Sequence, residues 1–143
     1  MSLLMQLKHF FADKTYPFVL LFGSYSDATF NEMSDVDIGI FYANDVDYKD
    51  LGYTIAMLET EIDKKVDMIA LNDIYKKDPL FAFKILQNHT PLLMNDEKAY
   101  IAFKTASQLY YLDHKPLIAM NERMFAQRIE NNQIGERNFV TET

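Results

Sequence analysis

Cysteine is absent from all 143 residues of the chain. That excludes a disulfide framework, a cysteine-ligated zinc site and a thiolate nucleophile, and it accords with a reducing compartment. Cations are scarce as well: 14 Lys and Arg stand against 21 Asp and Glu, a net charge of −7. They form no run, and Lys64-Lys65 and Lys76-Lys77 are the densest pairs. Broad nucleic-acid binding calls for a basic face, so the composition argues against it. A basic protein partner or a metal-bound anion fits better. Long apolar runs are also missing. The longest, Phe18 to Phe22, is far short of the ~20 residues that cross a bilayer as a helix. Met1 to Lys14 has neither the apolar core nor the small-residue cleavage pattern of a signal peptide. A soluble, cytoplasmic protein is expected.

Nearly half of the chain is apolar, with no repeat and no linker-like stretch, and the length suits one domain with its own core. Residues 1–130 read as that domain, and 131–143 as a loose polar tail. Leu3, Leu7 and Phe10 recur at helical spacing over residues 2–13. The apolar run 18–22 after Pro17 predicts a buried strand, residues 23–34 a polar loop, and 36–42 a second strand. Leu51, Ile55, Leu58 and Ile62 mark one face of a helix that Asp47 and Asp50 are placed to cap. Lys65 to Leu71 reads as a third strand. Asp78-Pro79 reads as an N-cap and first turn, opening a helix with Leu80, Phe83 and Leu86 on its apolar side. Thr90 to Met94 reads as a short fourth strand. A helix over 96–112 follows, with Phe103, Ala106 and Tyr110 on one face. Pro116 is expected to interrupt it, and a last helix runs to about Glu130 with an apolar stripe of Ile118, Phe125 and Ile129. Alternation of strands and helices predicts an α/β or α+β class with a small mixed sheet.

Two segments carry chemistry. In Asp35-Val36-Asp37 the carboxylates, two residues apart on a strand, share a face about 7 Å apart. Adjacent anions on a half-buried sheet repel, and a hard divalent cation such as Mg²⁺ removes the cost. Gly39, one step further on that face, is expected to leave room for a ligand. Val36, Ile38 and Ile40 supply the core side of the strand. The second segment is Leu21-Phe22-Gly23-Ser24, where a buried strand stops at a pair able to approach phosphate closely: glycine by its bare backbone, serine by its hydroxyl. Either piece alone is as readily an ordinary turn or a solvated edge. A third acid, Asp67, sits inside the apolar run 65–71. Asp63 and Asp73 look like helix-end and loop residues. His9, His89 and His114 have no partner at metal-ligand spacing and read as structural or surface, and Tyr110-Tyr111 suits either core or a partner surface.

Gly-Ser, ten residues, then Asp-x-Asp between two buried strands resembles the signature of the minimal nucleotidyltransferases (MNT) of the DNA polymerase β superfamily. The likeness is close over residues 17–42 and looser to about 94. It implies nucleotidyl transfer from ATP, with two Mg²⁺ ions held by Asp35, Asp37 and Asp67, and the triphosphate held by Gly23 and Ser24. Where relatives place arginines and a second glycine, this chain reads Tyr25-Ser26-Asp27-Ala28, and no basic residue occurs between Pro17 and Lys49. Metal and backbone donors, with Lys76 or Lys77, are then left to hold the phosphates. Stand-alone MNT proteins of this size resemble the antitoxin half of HEPN/MNT toxin–antitoxin pairs, which implies a HEPN ribonuclease partner silenced by transfer of AMP to one of its tyrosines. An aminoglycoside-type small-molecule transferase and a binding-only antitoxin remain open alternatives at this point.

Overall fold

In a computed structural model, residues 2–23 and 35–130 are described, with side chains described through Pro116 and then at Met120, Arg123 and Met124. The expectations for Ser24, for the stripe of Ile118, Phe125 and Ile129, and for the tail at 131–143 fall outside what is described.

Four strands form one mixed sheet. They are β1 (Phe18–Phe22), β2 (Val36–Phe41), β3 (Val66–Ala70) and β4 (His89–Met94), in the order β3-β2-β1-β4. β1 runs antiparallel to both β2 and β4, and β2 runs parallel to β3. The parallel pair is joined by the helix α2 (Tyr48–Ile62), as a parallel connection requires a crossover. Helix α1 (Leu3–Phe11) precedes the sheet, and α3 (Ile74–Lys77), α4 (Pro79–Gln87) and α5 (Glu97–Glu130) complete the chain. The short α3 is an element that periodicity could not reveal, because four residues are too few to show a period.

β1 is apolar throughout because both sheet faces are covered. Val19 and Leu21 join Leu7, Phe11, Val36, Ile38 and Leu58 under α1 and α2. Phe18, Leu20 and Phe22 join Leu71, Ile85 and Phe103 under α4 and α5. Burying a Leu, Ile or Phe side chain contributes about 1.5–3 kcal/mol, and both layers contain several that are fully inaccessible. The same alternation settles β2: Val36, Ile38 and Ile40 point to the α1/α2 layer, which leaves Asp37, Gly39 and Phe41 on the α4/α5 side. There Phe41 stacks on Phe18 at 4.8 Å.

Local capping agrees with the sequence at Asp47 and Asp78, but Asp50 does not cap α2: its carboxylate accepts from the Tyr16 and Tyr42 hydroxyls instead. Asp47 Oδ1 accepts from the Lys49 and Asp50 amides at the start of α2, and Asp78 Oδ1 accepts from Phe81 N at the start of α4, with Pro79 in the first turn. All three bonds satisfy amides that have no partner inside the helix. Asp96 Oδ1 does the same for Ala99 N in α5.

Three further expectations are corrected. Pro116 does not interrupt: α5 continues through it to Glu130. Proline removes one amide donor, but Lys115, Leu117, Ala119 and Met120 around it are good helix formers, so the loss stays local. On α4 the deepest positions are Ala82 and Ile85 rather than Leu80, Phe83 and Leu86. Tyr110 and Tyr111, for which the sequence left core and partner surface open, pack within the fold: Tyr110 lies edge-on against Tyr75 at 5.0 Å, and Tyr111 stacks on Phe83 at 3.9 Å. Gly39 leaves no room for a ligand. A Cβ there would lie 2.6 Å from Leu71 Cδ2, so the fully buried Leu71 already fills the space.

Candidate active site

β1 ends where β2 and β3 begin, and the three acidic candidates gather at that edge. Asp37 pairs with Asp67 across the parallel β2–β3 register, and with Phe22 across β1–β2. Neighbouring strands lie about 4.8 Å apart, so two carboxylates in register on the same face stand side by side. Strand alternation puts them on the α4/α5 side, since Val36, Ile38, Val66 and Met68 are all buried in the opposite layer. Asp35 directly precedes β2 and is exposed, as is Asp67, whereas Asp37 is half-buried.

The charge of the cluster is visible on Asp37. Its pKa is raised, first by burial and then by the negative charges of Asp67 and Asp35. Each of these disfavours the ionised form, a cost that a bound cation would relieve.

Gly23 completes the corner with a φ of +73°, the left-handed region that favours glycine. A Cβ at this position would fall on Asp37 Oδ2 and lie 3.1 Å from its Cγ. The glycine is therefore required twice, by its backbone angle and by the carboxylate packed against it.

These residues open onto a cleft of about 330 Å³ between the sheet edge and α4, lined by Gly23, Asp37 and Asp67 together with Phe22, Phe81 and Lys84. Ile69, Ile85 and Asn88 complete the wall. Lys84 and Asn88 were not singled out in the sequence. Their signal is the spacing Phe81, Lys84, Ile85, Asn88, at i, i+3, i+4 and i+7, which places all four on one helix face. Lys76 and Lys77 do not line the cleft, and Lys76 is held by Asp73 at 3.8 Å. Asp63 and Asp73 stand apart from the cluster, as the left-handed cap residues that end α2 and begin α3. His89 is occupied structurally: its ring nitrogens contact Leu86 O at 3.1 Å and Tyr100 Oη at 2.6 Å, and burial lowers its pKa.

Among the described residues, no three His, Asp or Glu side chains converge as a preformed metal cage. Magnesium does not require one, because it keeps waters and shares substrate phosphates while binding one or two carboxylates. An in-register pair of hard oxygen donors, one of them with an elevated pKa, fits that ion.

A mixed sheet flanked by helices on both faces, with acids in register at the start of the parallel strands β2 and β3, is the arrangement of a nucleotidyltransferase fold of the polymerase β type. Residues 5–98, more than half of the chain, match the family model described as Polymerase beta, Nucleotidyltransferase, and the chain belongs to that family. Similar solved structures come from toxin–antitoxin systems. One, a toxin–antitoxin MntA–HpeT mutant, superposes with a TM-score of 0.69 at 16% identity, covering 87% of this chain and 99% of that one. A toxin–antitoxin structure with AMP-PNP gives 0.57 at 19% identity, covering 92% and 97%. A tri-AMPylated Shewanella oneidensis HEPN toxin in complex with MNT antitoxin gives 0.63 at 16% identity, covering 86% and 99%. At such identities the likeness concerns the fold. No curated protein matches the sequence. Among the described residues, no helix is long and apolar enough to cross a membrane.

Proposed function

We propose that the chain is an MNT antitoxin that transfers AMP from ATP to a tyrosine of a HEPN toxin. The observation that carries the transferase half is the in-register pair Asp37 and Asp67 at the mouth of a cleft cornered by Gly23. The antitoxin half is supported by the solved structures it resembles, one of which holds an AMPylated HEPN toxin with its MNT partner.

In this reading Asp35, Asp37 and Asp67 would hold Mg²⁺, which supplies charge neutralisation for the phosphates when bound. Gly23 and Ser24 would position the triphosphate. The acceptor tyrosine oxygen forms a bond to the α-phosphorus, the α–β bridging P–O bond breaks, and pyrophosphate leaves with that electron pair. The acceptor proton passes to a carboxylate of the cleft. Asp67 is exposed, whereas Asp37 is half-buried. Positioning and charge neutralisation do most of the work in phosphoryl chemistry, so few further groups are needed.

The test is to incubate the chain with the product of its neighbouring gene, which this reading expects to be a HEPN toxin, together with ATP and Mg²⁺. AMP-sized mass should appear on a toxin tyrosine, and the Asp35→Ala/Asp37→Ala variant should bind the toxin without adding mass. Intact binding with unmodified toxin under wild-type conditions would replace this reading by steric neutralisation alone, a reading favoured by the lack of any basic residue between Pro17 and Lys49. Mass appearing on an aminoglycoside would replace it by small-molecule transfer.

A further inference from the structure

We propose that Lys84 binds the β- and γ-phosphates of the nucleotide and so takes the place of the basic residues missing from the loop after Gly23. The proposal rests on the transferase reading above and adds a residue to it.

The placement follows from α4. Asp78 caps the helix and Pro79 starts it, which sets the rotation of every later residue. Ala82 and Ile85 are buried against the sheet, and Lys84, beside Ile85, falls three residues after Phe81 on the cleft side. Among the described residues lining that cleft, Lys84 is the only cation, and Asp37 and Asp67 line it with Lys84.

A lysine near two carboxylates would normally be expected to pair with one of them. Lys84 does not: the ion pairs among the described residues are Lys14–Asp13 and Lys76–Asp73. Lys84 lines the cleft, and among the described residues no carboxylate lies within 4.0 Å of its ammonium group. A group with three donors and a mobile stem is then available to a ligand that carries negative charge at a distance from Asp37 and Asp67. A polyphosphate bound through its α-phosphate near those acids projects such charge. The walls strengthen the attraction, because Phe22, Phe81 and Ile69 are apolar and exclude water from one side. The loop from 24 to 34 contains no Lys or Arg, and Lys76 lies within 3.8 Å of Asp73.

The experiment is calorimetric titration of the full chain with α,β-methylene-ATP and Mg²⁺, whose α–β link is not cleavable, and in parallel with AMP and Mg²⁺. Lys84→Met keeps the apolar stem and removes the charge; Lys84→Arg keeps the charge. Loss of one charge-assisted hydrogen bond predicts about tenfold weaker binding of α,β-methylene-ATP by Lys84→Met, with AMP binding changed less than about twofold and Lys84→Arg near wild type. The difference between wild type and Lys84→Met should shrink as salt rises from about 0.05 to about 0.5 M, because the site is open to solvent. Equal affinity of wild type and Lys84→Met for α,β-methylene-ATP overturns the proposal and leaves the transferase reading standing. So does an equal loss for AMP, which would indicate a general change in the cleft. Wild-type protein that shows no magnesium-dependent binding, or binds as well with Asp37→Asn, overturns the transferase site itself.

Discussion

Gly23 and Asp37 occupy the same corner: the position a Cβ would take on Gly23 is filled by Asp37 Oδ2. The first residue after β1 and the central carboxylate of β2 are therefore constrained together. Substitution at either one acts on the other.

Gly23→Ala should cost about 1–3 kcal/mol, from a positive φ combined with displacement of Asp37. Urea unfolding measures it. The Gly23→Ala/Asp37→Ala double variant should be more stable than additivity allows, since shortening residue 37 removes the overlap. Strict additivity would show that the two sites do not touch.

Asp37→Asn should stabilise the metal-free fold at neutral pH. The sign follows from its raised pKa, caused by burial, Asp67 and Asp35. The folded state holds this proton more tightly than the unfolded chain, so the wild type loses stability as pH rises from the ordinary carboxylate value of about 4 through the folded pKa. Above that range the penalty is complete, and Asn avoids it. The advantage of Asp37→Asn should thus be present at pH 7 and disappear below about pH 4. Thermal melts across pH test this. The same variant should lose the stabilisation that ATP with Mg²⁺ gives to the wild type by mass action; an undiminished shift would place the metal elsewhere.

Asp67→Ala should abolish transfer while retaining most nucleotide binding, because Asp35 and Asp37 remain. Asp63→Ala and Asp73→Ala should leave transfer unchanged. Both controls occupy left-handed backbone, with φ of 53° and 59°, so they carry a stability prediction of their own. Asp63→Gly at the end of α2 should raise stability by up to about 1 kcal/mol, glycine being the residue that adopts this cap without strain. Full activity in Asp67→Ala would remove it from the site.

Gly39→Ala should destabilise the sheet by about 1–3 kcal/mol through overpacking against Leu71. A Cβ would lie 2.6 Å from Leu71 Cδ2 and 2.8 Å from its Cγ. Pairing Gly39→Ala with Leu71→Ala should cost less than the two single changes added together. Nucleotide binding should follow stability alone, since Leu71 separates Gly39 from any ligand.

Sequence alone determined the parts of this protein that depend on local chemistry. The apolar run of β1 and the alternation of Val36, Ile38 and Ile40 were readable because a pleated strand repeats every two residues. The caps at Asp47 and Asp78 were readable because unpaired helix amides need an acceptor nearby in the chain. Gly23, Asp35, Asp37 and Asp67 stood out because glycine at a strand end and acids inside apolar strands are out of place without a reason. Tertiary structure decided what lies far apart in sequence. The parallel register sets Asp67 beside Asp37, thirty residues away in number, and nothing in either strand states that pairing. Leu71 fills the space over Gly39 because the parallel register brings the end of β3 alongside it, with Leu71 N donating to Ile40 O, so a residue that looked like room for a ligand is packed solid. Lys84 reaches the cleft through the rotation of α4, which depends on how Ala82 and Ile85 dock on the sheet. Helical periodicity can name the residues that share a face, but only the packed partner decides which face turns toward the acids.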